Sequence, residues 1–253
     1  MTAKIISFAN QKGGVGKTTT TFEVAENLSQ QFDKRVLIID LDPQASLTSI
    51  KYDMRKLISE HMDNMTDVMI GKESIQDIII NLKENMDIAP TTLQLSDAEL
   101  NLVNTTLREL VLSKNISTIK DDYDFILIDC PPSRGLLTVN ALSASDYVLI
   151  PVQAEYQSLL GMQLLKKTIR DVKSQIKPDL KTLGYAVTMI TPTNHAKDAI
   201  ENIEHDNLDI LAEIPRSVDV ADASVANMST YEYRKNNKAG KAYYELSKKI
   251  NEL

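Results

Sequence analysis

Residues 10–20 read Asn10-Gln11-Lys12-Gly13-Gly14-Val15-Gly16-Lys17-Thr18-Thr19-Thr20, a short stretch that gathers three glycines, two lysines and three hydroxyls. An oxyanion is held best by several backbone N–H groups converging on it, which requires glycines free to take positive φ; a helix N-terminus behind them adds partial positive charge. The apolar run Lys4–Ala9 before this stretch reads as a strand and Lys17–Gln30 after it as a helix, so Gly13, Gly14, Val15 and Gly16 fall on the turn between them. In that setting Lys17 reaches the β- and γ-phosphates of a nucleotide, the Thr18 hydroxyl ligates Mg²⁺, and Thr19 completes the nucleotide-binding set. The general phosphate loop has a glycine five positions before Gly16, where this chain has Gln11, with the additional Lys12 beside it. A lysine about 4 Å from a phosphate charge contributes roughly 4 kcal/mol before desolvation at an effective dielectric near 20. Lys12 is therefore either a second phosphate ligand or an exposed loop lysine.

Two further strands end in carboxylates. Val36-Leu37-Ile38-Ile39-Asp40 continues as Leu41-Asp42-Pro43-Gln44, and alternation along an extended chain puts Asp40 and Asp42 on the same side. Ligands of open α/β sheets bind at the carboxyl ends of strands. An Asx-turn before Pro43 would use the same residue without excluding this role. Phe125-Ile126-Leu127-Ile128-Asp129, followed by Cys130-Pro131-Pro132, places Asp129 to hold Mg²⁺, most simply through water.

These residues need a sheet to position them. Besides Lys4–Ala9 the strand candidates are Arg35–Asp40, Met86–Ala89, Phe125–Asp129, Tyr147–Pro151, Leu183–Ile190 and Asp209–Ile214. Helical periodicity is clearest over Lys17–Gln30, Leu93–Leu112, Ser158–Ser174 and Lys241–Asn251. The alternation predicts an α/β fold, a doubly wound, mostly parallel sheet of about seven to eight strands flanked by helices. No repeat or flexible linker divides residues 1–253, so a single domain is expected. Residues 50–82 read as an insertion of short helices whose methionines either fill gaps in the core, the commoner use, or form an adaptable partner surface.

Composition narrows the function further. The chain of 253 residues carries 28 Lys and Arg against 35 Asp and Glu, a formal net charge of -7, so any nucleic-acid binding must come from a local patch. Such a patch exists in the C-terminal segment 234–253: Arg234, Lys235, Lys238, Lys241, Lys248 and Lys249 face a single acid, Glu245, between positions 234 and 249. On composition alone this is equally a solvated helix face. The one cysteine, Cys130, excludes an internal disulfide and a cysteine-held cluster, and points to a reducing, cytoplasmic setting. No stretch of signal-peptide or membrane-spanning character is apparent.

Lys12-Gly13-Gly14-Val15-Gly16-Lys17-Thr18-Thr19 resembles the deviant Walker A motif of the ParA/MinD family of ATPases, and the resemblance continues through Asp40-Leu41-Asp42-Pro43-Gln44 and Ile214-Pro215-Arg216. It implies ATP and Mg²⁺ as cofactors and a P-loop NTPase fold. Lys12 would cross an ATP-bound homodimer to the partner's phosphates. Asp42 would position the attacking water, Asp40 and Asp129 would support the Mg²⁺ with Thr18, and Pro215 would pack on the adenine. Ser133-Arg134-Gly135 is similar to the family's switch segment.

Within the family the chain looks most like the short ParA/Soj type. That likeness implies a DNA-segregation ATPase, nucleoid-associated, binding double-stranded DNA without sequence preference through Arg216, Arg234, Lys235, Lys238 and Lys241, and stimulated by a ParB-type adaptor. Asp219 stands where relatives carry a basic contact after Ile-Pro-Arg. The alternative is a MinD-like or cargo-positioning regulator acting on a protein or membrane partner. The C-terminal stripe of Ala242, Tyr243, Leu246, Ile250 and Leu253 favours a core-packed helix over a membrane-binding one. A small-molecule synthase on the same scaffold would need a second set of catalytic groups, which the sequence does not display.

Overall fold

The computed structural model describes residues 2–155, 158–205 and 207–253. Eight strands form one sheet: β1 (Lys4–Phe8), β2 (Val36–Asp40), β3 (Ile80–Lys83), β4 (Met86–Ala89), β5 (Phe125–Asp129), β6 (Tyr147–Gln153), β7 (Lys181–Ile190) and β8 (Ile210–Pro215). Their spatial order is β3-β4-β2-β5-β1-β6-β7-β8, parallel throughout except for the antiparallel β3–β4 hairpin. The helices are α1 (Lys17–Gln31), α2 (Ser46–Lys51), α3 (Met54–Ser59), α4 (Met65–Met69), α5 (Ile75–Ile78), α6 (Leu95–Leu102), α7 (Val111–Ile116) and α8 (Leu136–Ala144), then α9 (Ser158–Gln175), α10 (Asn194–Glu204), α11 (Asp219–Val225), α12 (Thr230–Tyr233) and α13 (Lys238–Asn251).

Strands β2 and β5 are buried along their whole length because both sheet faces are covered, which is why they read as unbroken apolar runs. Alternation divides them between two cores. Leu37, Ile39, Ile126 and Ile128 pack with Leu137, Leu165 and other residues of α4 to α9 on one face. On the other, Val36, Ile38 and Leu127 pack with Phe22, Ala25 and Leu28 of α1 and Tyr243, Leu246 and Ile250 of α13. Tyr243, Leu246 and Ile250 of the C-terminal stripe are thus spent inside the protein while Leu253 stays exposed, and among the described residues no helix is long and apolar enough to cross a membrane. Register sets the functional end: Phe8 and Asp40 both pair with Asp129, so β1, β2 and β5 finish level.

The structure corrects the sequence reading in three places. The helix expected over Leu93–Leu112 is broken after Leu102, and the chain turns through Leu107 at φ 54 before a single 3-10 turn and α7. Buried Asn140 of α8 explains why the break is tolerated, because its amide donates to the Arg108 carbonyl at 2.7 Å and accepts from the Leu112 N–H at 3.1 Å. Strand β3 was hidden at the end of the segment 50–82, where Ile80 and Leu82 follow the last short helix; that segment is otherwise helical, with Met65 and Met69 fully buried in the core. The last helix starts at Lys238, three residues early, because Asn237 caps it by accepting from the Ala239 and Gly240 N–H groups. Thr193 caps α10, accepting from the Ala196 N–H at 3.3 Å.

Candidate nucleotide site

The loop between β1 and α1 has an open inner side. Gly14 and Gly16 take φ 73 and 84, backbone conformations that other residues adopt only with strain, and a Cβ at Gly13 or Gly14 would meet no atom within 4 Å. Loop carbonyls are tied from behind: Val15 accepts from the Thr188 hydroxyl at 2.8 Å and Gly14 from the Gln153 amide at 3.1 Å. Asn10 braces the entrance, donating to the Pro151 carbonyl at 2.7 Å and accepting from the Lys12 N–H at 3.0 Å. Carbonyls held this way do not face a bound anion, which leaves the cradle to the N–H groups at the start of α1.

Lys17, Asp40, Asp42 and Asp129 are all buried at the ends of these strands. Burial pushes Lys17 below the usual ammonium range, opposed by the negative charges of Asp129 and Asp42. Asp129 is driven well above the usual carboxylate range by burial first and by the Asp40 charge second. Its Oδ2 accepts from the Thr18 hydroxyl at 2.6 Å, whereas its Oδ1 is buried with no hydrogen-bond partner among the described residues.

That orphaned oxygen beside a threonine hydroxyl fits a cation. Among the described residues no cluster of three or more His, Cys, Asp or Glu side chains forms a ready-made cage. A cation here would therefore be held jointly with substrate phosphates and water, the manner of Mg²⁺ rather than of a structural metal.

Asp40 is engaged by the protein itself. Its Oδ1 accepts from the Asp42 N–H at 3.2 Å, and its Oδ2 accepts from both the N–H and the hydroxyl of Thr48 at 2.8 and 2.7 Å. Burial outweighs these bonds and raises its pKa to about 6. Asp40 thereby fixes the loop that presents Asp42, whose own Oδ1 closes the Asx-turn by accepting from the Gln44 N–H at 2.9 Å. Thr48 carried no signal in the sequence, since its contact with Asp40 depends on where α2 docks.

Lys12 lies at the rim, bonded to Glu155 at 2.6 Å and to Gln153 at 3.5 Å, both at or past the end of β6. Spacing could not reveal these partners, because β6 reaches the loop only through the sheet order. Beside the start of α1, Thr19, Met189, Ile214, Pro215, Arg216 and Tyr243 help line a cavity of about 370 Å³, so Pro215 and the first turn after the phosphate loop border the same space. A larger cavity of about 730 Å³ along β8 is lined by three acids, Glu204, Asp209 and Glu213, against one cation, Lys249, a balance that opposes an anionic ligand.

Arg216, Arg234, Lys235, Lys238 and Lys241 are all exposed at the surface. Arg234 pairs with Asp219 at 2.9 Å, and Asp219 also accepts from Asn237 at 2.5 Å, so this acid secures the start of α13.

A family model described as an AAA domain, AAA_31, matches residues 3–182. The sporulation initiation inhibitor protein Soj of Bacillus subtilis is 38% identical over 255 residues, covering 98% of each chain. The chromosome partitioning protein ParA of Myxococcus xanthus is 39% identical over 206 residues, 79% of this chain and 70% of that one.

The chain belongs to the ParA/Soj family of ATPases.

A solved structure of cobyrinic acid a,c-diamide synthase from Mycobacterium smegmatis, with a bound ATP analog and magnesium, superposes with a TM-score of 0.85 at 32% identity over 98% of this chain and 94% of that one. As a ParA/Soj-type ATPase this protein uses ATP and Mg²⁺, and the open loop, the buried Lys17 ammonium and the unsatisfied Asp129 oxygen are the features that fit them.

Proposed function

We propose that this protein is an ATP-dependent DNA-segregation ATPase whose ATP-bound homodimer binds double-stranded DNA without sequence preference and releases it on hydrolysis. The observation that carries this reading is the row Lys235, Lys238 and Lys241, on and just before α13 and without an ion-pair partner among the described residues, on a chain whose net charge is -7. Arg216 and Arg234, also exposed, complete the set, Arg234 with Asp219 as its ion-pair partner.

At the site, Lys17 and the loop N–H groups bind the phosphates, Thr18 and Asp129 hold the Mg²⁺ with Asp40 supporting them through the Asp42 loop, and Pro215 packs on the adenine. Mg²⁺ supplies charge neutralisation on the phosphates. Asp42 orients the attacking water. Lys12 exchanges Glu155 for the partner's phosphates as the dimer closes. Release is stimulated by a ParB-type adaptor, and the protein works in the cytoplasm on the nucleoid.

The test uses Asp42→Ala, which is expected to trap the ATP dimer. With ATP it should bind random-sequence duplex, and with ADP it should not. Changing Lys235, Lys238 and Lys241 to Ala should lower the salt slope by roughly 0.9 for each phosphate no longer neutralised. An ATP dimer that ignores DNA would transfer the reading to the regulator alternative, to be pursued with liposomes and protein partners.

A further inference from the structure

The charges used by the nucleotide site are not the only ones buried in this molecule. One and two turns beyond the phosphate-binding residues, α1 carries Glu23 and Glu26, both with no exposed surface. Glu23 spans the gap to the C-terminal region: its two carboxylate oxygens accept from the Thr230 N–H at 3.1 and 3.0 Å, and one also accepts from the Thr230 hydroxyl. Glu26 is paired with Lys51, the last residue of α2, and with Lys83 of β3 at 2.7 Å. Lys51 continues to the Asn227 side chain at 2.7 Å, and Lys83 to the Asn227 carbonyl at 3.3 Å.

The segment 227–230 therefore hangs from α1 and α2, the two helices whose first residues follow the phosphate loop and the Asp42 loop. From Thr230 the contact passes directly to α13. Gly240 packs so closely on the Thr230–Tyr231 backbone that a Cβ there would lie 2.8 Å from the Tyr231 nitrogen. A second tie arrives from the cavity beside the start of α1, where Ser217 accepts from the amide of Asn237, the residue that caps α13. Both ends of the nucleotide site thus reach the same few residues, and those residues carry Arg234, Lys235, Lys238 and Lys241. At 1.5 Å per residue, Glu23 lies about 9 Å along α1 from Lys17, close enough for a rigid shift of the helix to be transmitted.

We propose that Glu23 and Thr230 are positioning residues that couple occupancy of the nucleotide site to the placement of the basic segment Arg234–Lys241. The coupling rests on the proposed function only for its DNA consequence; the structural half stands without it. A hydrogen-bonded carboxylate with two donors from one residue fixes both the distance and the orientation of α12 relative to α1, so movement of α1 on closing around phosphates and Mg²⁺ carries α12 and the start of α13 with it. Allosteric couplings of this kind change affinity about five- to 150-fold.

The experiment compares wild type, Glu23→Gln, Thr230→Val and Thr230→Ser as full chains, with amide hydrogen exchange over residues 227–241 measured without nucleotide, with ADP·Mg²⁺ and with ATP·Mg²⁺. Wild type and Thr230→Ser should show an ATP-dependent change in exchange across this segment. Thr230→Val and Glu23→Gln should show less than half of it while binding ATP within about twofold of wild type. In parallel, ATP-dependent affinity for random duplex DNA should fall roughly tenfold in Thr230→Val and return in Thr230→Ser. A simple packing role would lower the urea midpoint of Thr230→Val yet leave the nucleotide-dependent difference intact, which overturns the coupling. So would a wild-type segment whose exchange is the same in all three nucleotide states. If wild type shows the exchange change but no DNA binding with ATP, the coupling stands and the DNA-segregation reading falls.

Discussion

Two buried clusters of charge lie on α1 and the elements around it, and they differ in completeness. At the phosphate end, Asp40, Asp42 and Asp129 are buried with one ammonium, Lys17, and Asp129 retains an oxygen with no partner among the described residues. At the junction two turns later, Glu23 and Glu26 are matched by Lys51, Lys83 and the donors of Thr230. Leaving a buried charged group unsatisfied is expensive, whereas a fully hydrogen-bonded pair is tolerated. The deficit at the strand ends is the mark of a site awaiting a cation and phosphates; the balance at the junction is the mark of a connection made within the chain.

Substitutions at the two clusters should therefore move stability in opposite directions. Asp129→Asn should lower ATP turnover on the order of 10²–10³-fold, as removal of one preorganised electrostatic group does. The same change should raise the urea stability of the nucleotide-free protein by about 1 kcal/mol, because it deletes an unmatched buried charge. Lys51→Met should do the reverse, costing about 3 kcal/mol in urea unfolding because Glu26 is left without its buried partner. If both variants are destabilised equally without nucleotide, the contrast between the clusters is broken.

A pH series sharpens the comparison. Burial raises Glu23 to about 7, against the hydrogen bonds from Thr230 that lower it, with Glu26, Lys51 and Tyr243 the other titratable groups facing it. A carboxyl whose folded pKa lies above its unfolded value stabilises the fold fully below the unfolded pKa, near 4.5. That contribution is lost as pH rises through about 7. Wild type relative to Glu23→Gln should then lose about 2 kcal/mol of unfolding free energy between pH 5 and pH 8. A difference that stays flat across this range would mean that Glu23 does not change its proton in the window.

Much of the chemistry was legible along the chain because it is local. The glycines, Lys17 and Thr18 sit on one turn between a strand and a helix, and their spacing is the chemistry. Asp40 and Asp129 could be read as strand-end carboxylates because β2 and β5 are short, wholly apolar runs whose ends are unambiguous. The parallel sheet followed from the same alternation of apolar runs and helical periods. The helix over Leu93–Leu112 is misleading for the complementary reason: its periodicity persists through a break held open by Asn140, 28 residues beyond Leu112.

Periodicity and spacing act over a few residues, so they establish which side chains share a turn, a strand end or a helix face. Partners brought together by sheet order lie outside their reach. Lys12 meets Glu155 because β6 lies beside β1, and Asp40 is saturated by Thr48 only once α2 has docked. Glu23 finds Thr230, 207 residues away, because α13 and α1 share one core beneath the sheet. Local sequence established that nucleotide chemistry belongs here; long-range packing decided which charges remain unmatched for it and which tie the phosphate helix to the basic end of the chain.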